Sequence, residues 1–238
     1  MVERTTRRLA DRTNFDVQRT EGEEDAGVLK TGTTTVAVAA DDAVVVAADQ
    51  RASLGGRFTA NKDVQKVLPV HPTAALAMSG SVGPVQDLAR TLKAEAGLYA
   101  ARRGEDLSMA ALASVAGNLV RGIPAQLLLG GVDDAGAHVY ELDGGGSVLP
   151  SEYAAAGSGM QVAYGVLEGE ADAVADVSDA RDLALRAIRS ASERDTASGN
   201  GAHVATVTSD GVEVASRTVA ELAGANRGSV SAGRGDER

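Results

Sequence analysis

An α+β layered sandwich, with two antiparallel sheets covered by paired helices, is the fold that this sequence predicts. Strand-like and helical patterns come in blocks: strands, two helices, strands, two helices, strands. Two strand blocks are hairpins closed by "DD" at 41–42 and "DDAG" at 133–136, and the last block reads as a further hairpin, which makes neighbouring strands antiparallel. The regular strand–helix alternation of a doubly wound parallel sheet is not seen.

Taken in order, "TTTVAVAA" (33–40) and "AVVVAAD" (43–49) are short β-branched runs on either side of the first turn. "TAALAMSG" (73–80) is a further apolar strand ending in small residues. Pro84 near the first turn and Gly104 past the end bracket a helix, with Leu88, Leu92, Ala96 and Tyr99 forming one apolar stripe. A second helix covers 107–122, followed by the hairpin of "AQLLLGGVD" and "AHVYELD". A third helix covers 159–170 and a fourth begins at Ser178, read as its N-cap. "HVATVTSDGVEVA" supplies the closing hairpin. Residues 1–32, rich in charge and threonine, read as a flexible leader, 33–223 as the folded domain and 224–238 as a disordered tail.

Composition narrows the function. The chain has no cysteine, which excludes disulfides and thiolate metal sites. Its three histidines, His71, His138 and His203, are scattered and read as surface or packing residues, so no metal or other cofactor is expected. A formal charge of −10 disfavours nucleic acid as a partner. No run of about 18 apolar residues suggests a membrane span, and the N-terminus has no secretory apolar core. Only Lys30, Lys62, Lys66 and Lys93 among the 23 lysines and arginines are lysine. An acidic, lysine-poor, alanine-rich chain suits a salt-rich cytoplasm and equally a high-GC genome.

A hydroxyl nucleophile needs a base, and a Ser–His–Asp arrangement has poor raw material here. A threonine at a newly cut N-terminus would supply both parts, because its α-amine has a reference pKa of about 7.7–8.0. Thr33 follows Gly32, whose lack of a Cβ would let the backbone bend tightly at such a junction. Taken alone, the three threonines read as an exposed strand face and Lys66 as a solvated strand-end lysine. "RDTASG" likewise reads as a polar helix stop.

Together, the leader ending in "TG", "TTTVAV", "VVVAADQRAS", "NKDVQKV" (61–67), "GSG" (157–159) and "RDTASGNG" (194–201) resemble the proteasome β subunit, in order and spacing, from about Thr33 to Val214. Among relatives the chain looks most like archaeal, and by its acidity haloarchaeal, members. The resemblance implies a four-layer αββα sandwich, the N-terminal nucleophile hydrolase fold. It implies a threonine endopeptidase whose residues 1–32 are removed by self-cleavage at Gly32–Thr33.

In that family pattern Thr33 matches the nucleophile, Asp49 its acidic partner, and Lys66 the lysine beside it, with Lys62 a poorer fit. Ser158 matches the serine near the terminal amine, and Asp195 and Ser198 the pair that orients it. Gly80 matches the glycine whose N–H faces the oxyanion, where a Cβ would crowd the substrate. Ala52, Val64, Met78 and Val82 would line an apolar specificity pocket, implying cleavage after hydrophobic residues. Ser53 would hold the substrate main chain. The partners implied are α subunits and other β subunits in stacked heptameric rings, an ATP-dependent unfoldase and unfolded protein substrates, all in the cytoplasm.

The sequence departs from the pattern at Ala37, at Gln50, at Pro84 and by one extra residue in "GGRF". The alternatives are a catalytically silent ring subunit, against which the complete set Thr33, Asp49 and Lys66 speaks, and a bacterial two-ring relative, which usually lacks so long a leader.

Overall fold

The computed structural model describes residues 30–54 and 56–224. The first half comprises β1 (Lys30–Gly32), β2 (Thr34–Ala39), β3 (Val44–Asp49), β4 (Ala52–Leu54), β5 (Phe58–Asn61), β6 (Val67–His71), β7 (Ala74–Ser81), α1 (Val82–Arg103) and α2 (Met109–Val120). The second half comprises β8 (Ala125–Asp133), β9 (Gly136–Asp143), β10 (Val148–Ser151), β11 (Tyr153–Gly157), α3 (Met160–Glu170), α4 (Val177–Arg194), β12 (Ala202–Thr208), β13 (Gly211–Arg217) and α5 (Val219–Gly224).

An eight-stranded sheet in the order β10-β9-β8-β7-β1-β4-β5, with β6 also on β7, packs against a five-stranded sheet ordered β11-β2-β3-β12-β13. One apolar cluster lies under α1 and α2, a second joins the two sheets, and a third lies under α3 and α4. This is the four-layer αββα sandwich. Its inner strands are buried on both faces and so read as unbroken apolar runs. In β2 and β3, Val36, Val38, Val45 and Ala47 face the helices, while Ala37, Val44, Val46 and Ala48 face the other sheet. Small residues let the sheets approach: a Cβ at Gly130 would come within 2.5 Å of Val46 Cγ2 and 2.7 Å of Val44 Cγ1.

The three predicted hairpins all form, as β2–β3, β8–β9 and β12–β13. The first long helix ends as its glycine requires: Gly104 adopts φ 73° and its N–H donates to Ala100 O. Pro84 is the third residue of α1 rather than its opening residue. Ser178 does not cap α4; Asp176 does, accepting from the N–H groups of Ser178 and Asp179, because an aspartate two residues upstream captures the same free amides.

The stretch read as a flexible leader also differs at its end. Lys30–Gly32 form β1, pairing antiparallel with β4 on one side and β7 on the other. The rest of that stretch and residues 225–238 lie outside the described residues. Among the described residues no helix is long and apolar enough to cross a membrane.

Candidate active site

The chain passes from one sheet to the other between Gly32 and Thr34. Gly32 ends β1 in the eight-stranded sheet, Thr34 begins β2 in the five-stranded sheet, and Thr33 lies fully buried at the crossing. Asp49 closes β3, the neighbour of β2. Lys66 directly precedes β6, and its carbonyl accepts from Met78 N on β7 at 3.0 Å. Register, set by the buried strand faces, thus carries these side chains to one point.

Lys66 Nζ donates to Asp49 Oδ1 at 2.7 Å, to Arg51 O and to Thr33 Oγ1. Thr33 Oγ1 lies 3.2 Å from Asp49 Oδ1. Asp49 is itself held by backbone: Oδ1 accepts from Thr34 N at 2.9 Å, and Oδ2 from Arg51 N at 3.0 Å and Gly199 N at 2.8 Å. Asp49 is fully buried and Lys66 only 2% exposed. Burial pushes the Lys66 ammonium below its ordinary value of 10.5, with the Asp49 carboxylate opposing that shift. Lys62, by contrast, is exposed.

A second polar group adjoins the Thr33 backbone. Thr33 N donates to Ser158 Oγ at 3.1 Å. Ser158 Oγ reaches Asp195 Oδ2 at 2.6 Å and Thr33 O at 3.2 Å, and its one proton serves one of them at a time. Ser198 Oγ donates to Asp195 Oδ2 at 2.6 Å and lies 2.8 Å from Thr34 Oγ1. The six residues Thr33, Asp49, Lys66, Ser158, Asp195 and Ser198 therefore form one connected network.

Gly80 lies on β7 and pairs with Thr31 of β1. Glycine is required there by the chain itself: its φ is 113°, and a Cβ would come within 2.5 Å of Pro124 O. Gly32 is extended and pairs with Ser53, with no tight bend.

Of the apolar residues, Met78 and Val82 share the cluster under α1. Ala52 sits on β4, and Val64 donates from its N–H to Gln50 O at 2.9 Å. Gln50 is buried and donates to Ser216 Oγ at 2.7 Å, a packing role. Among the described residues no cluster of His, Asp or Glu could hold a metal ion.

Three contributors escaped the sequence reading. The Thr34 hydroxyl sits where the sequence marks only the start of a strand, the Gly199 N–H belongs to a glycine at φ 146°, and Arg51 acts through its carbonyl. The "SGNG" run was a usable signal for Gly199, since clustered glycines mark unusual backbone. Nothing in the sequence marks a main-chain carbonyl.

Comparison with known proteins places this geometry in context. The family description "Proteasome subunit" matches residues 29–207. A protein of Halorhabdus utahensis named proteasome subunit beta is 54% identical over 190 residues, covering 79% of this chain and 81% of its own. Proteasome subunit beta 2 of Haloarcula marismortui is 52% identical over 196 residues, covering 81% and 85%. Proteasome subunit beta of Halomicrobium mukohataei is 52% identical over 202 residues, covering 84% and 85%.

Proposed function

The chain belongs to the proteasome subunit family, among its β subunits, and on that premise we propose that it is a catalytic one, a threonine endopeptidase matured by cutting its own Gly32–Thr33 bond. The observation that carries this reading is a buried threonine hydroxyl in contact with a buried lysine and aspartate directly after a glycine.

In the uncut chain Thr33 N is an amide and cannot act as a base. Burial lowers the Lys66 pKa and so raises its neutral fraction, which suits Lys66 to take the Thr33 hydroxyl proton. Thr33 Oγ then forms a bond to the Gly32 carbonyl carbon, and the bond to Thr33 N breaks as that nitrogen takes the proton from Lys66, leaving an ester and a free amine. Water hydrolyses the ester and releases residues 1–32. The freed amine, beside Ser158 and Asp195, serves as a second base when Thr33 attacks a substrate carbonyl.

In the same reading residues 33–223 are the working domain and 224–238 a tail. Ala52, Val64, Met78 and Val82 direct cleavage after hydrophobic residues, Gly80 serves the oxyanion, and Ser53 grips the peptide main chain. The chain works in the cytoplasm within heptameric β rings stacked against α rings, on proteins delivered unfolded by an ATP-driven regulator. Intact mass of the assembled particle tests this: the chain should begin at Thr33. Thr33→Ala should remain uncut and inactive while still folding; an active particle retaining residues 1–32 would overturn the assignment.

A further inference from the structure

A glycine before a cleavage point is usually explained by backbone freedom, and that explanation does not hold for Gly32. The residue is extended, outside the left-handed region, so its backbone could carry any side chain. Space is what excludes one. A Cβ on Gly32 would sit 2.0 Å from Ala197 Cβ, 3.3 Å from Ala197 Cα and 2.9 Å from Ser53 Oγ.

These neighbours differ in what they can yield. Ser53 Oγ is buried without a hydrogen-bond partner among the described residues, so its hydroxyl can swing aside at little cost. Ala197 is buried in a pinned loop. Ala197 N donates to Asp195 Oδ1 at 3.1 Å and Ser198 N to Asp195 O at 3.1 Å. Arg51 Nη1 donates to Thr196 O at 2.9 Å, and Thr196 Oγ1 to Gly56 O at 3.2 Å. Ser198 is tied to Asp195 and Thr34 as described. The methyl group of Ala197 cannot retreat without disturbing the network that holds the Thr33 amide.

We propose that Ala197 is the specificity-determining residue of the junction: its methyl group restricts position 32 to glycine. The inference rests on the reading that Gly32–Thr33 is self-cleaved. It also bears on the substrate, since a peptide with a hydrophobic residue before its cut cannot lie as Lys30–Gly32 lie while Ala197 holds this place.

The test uses the full-length chain co-produced with a haloarchaeal proteasome α subunit, with the fraction beginning at Thr33 followed by intact mass. Gly32→Ala should slow processing at least about tenfold. Ala197→Gly alone should process as wild type, and the double variant should recover to within about threefold of wild type. A double variant as slow as Gly32→Ala, with Ala197→Gly processed normally, overturns the inference. So does normal processing of Gly32→Ala.

If Ala197→Gly does not assemble, a size series at position 32 decides. Because the first carbon already collides, Ala and Val should be equally blocked, and processing that declines gradually with side-chain size overturns the proposal. Wild type that stays uncut overturns self-cleavage itself and this inference with it, a distinct outcome in which every variant is equally uncut.

Discussion

Replacing Asp49 by Asn keeps the shape of the site and removes its charge. Each carboxylate oxygen is already met by donors: Lys66 Nζ and Thr34 N at Oδ1, Arg51 N and Gly199 N at Oδ2. Whichever position the new amide nitrogen takes, it faces at least two donors and accepts from none. Lys66 is meanwhile left buried without its counter-charge. Removing one partner of a buried pair costs about 3–5 kcal/mol. For a domain of this size that corresponds to a fall in melting temperature of roughly 6–20 °C.

Lys66→Met is the matched control. It deletes the ammonium, but Asp49 keeps the N–H groups of Thr34, Arg51 and Gly199, so the loss should be about 1–2 kcal/mol. Urea titration of both full-length variants at constant salt, followed by far-ultraviolet circular dichroism, measures the difference. Both should lose peptide hydrolysis, but Asp49→Asn should be the less stable by at least about 1.5 kcal/mol. Equal stabilities would show that the backbone donors do not carry Asp49, and would falsify the picture of a carboxylate held mainly by the main chain.

Lys66 also predicts a pH effect. Its folded pKa lies below 10.5, so between the two values the unfolded chain binds more protons and stability rises with pH; this rise in the urea midpoint should flatten in Lys66→Met, and equal slopes would refute it. His71 is lowered below 6.5 by burial, with Asp106 opposing, so stability should fall as pH drops below 6.5 toward the folded value. His71→Asn, which can still accept from Thr73 N, should soften that acid loss in the same titration. Gly130→Ala places a methyl between the sheets against Val44 and Val46 and should cost about 1–3 kcal/mol. Unchanged thermal unfolding of that variant would mean the sheets can part.

The fold was legible where pattern is local. β2–β3, β8–β9 and β12–β13 each follow from two apolar runs and a turn, and α1 from its stripe and Gly104. β1 is only three residues long, and its pairing partners β4 and β7 lie far along the chain, so no short window of sequence contains the reason it forms. The site behaved similarly. Thr33, Asp49 and Lys66 stand out only through the order of several motifs, because their meeting depends on register across two sheets. Ala197 and the Arg51 carbonyl carry no chemical signal of their own; their roles come from position alone.

The placement of β1 between β7 and β4 has a thermodynamic consequence. While the Gly32–Thr33 bond is intact, this strand is a ligand tethered to its own receptor, at a millimolar effective concentration of the kind short linkers give. Cutting the bond would free it to dissociate and leave a slot one strand wide, with facing rows of amide and carbonyl groups open to water. An extended peptide with glycine at the place of Gly32 could refill that slot through main-chain bonds. The sheet of the cut chain would then be stabilised in proportion to the logarithm of free peptide concentration above its dissociation constant, so the protein's own stability would report whether the slot is occupied.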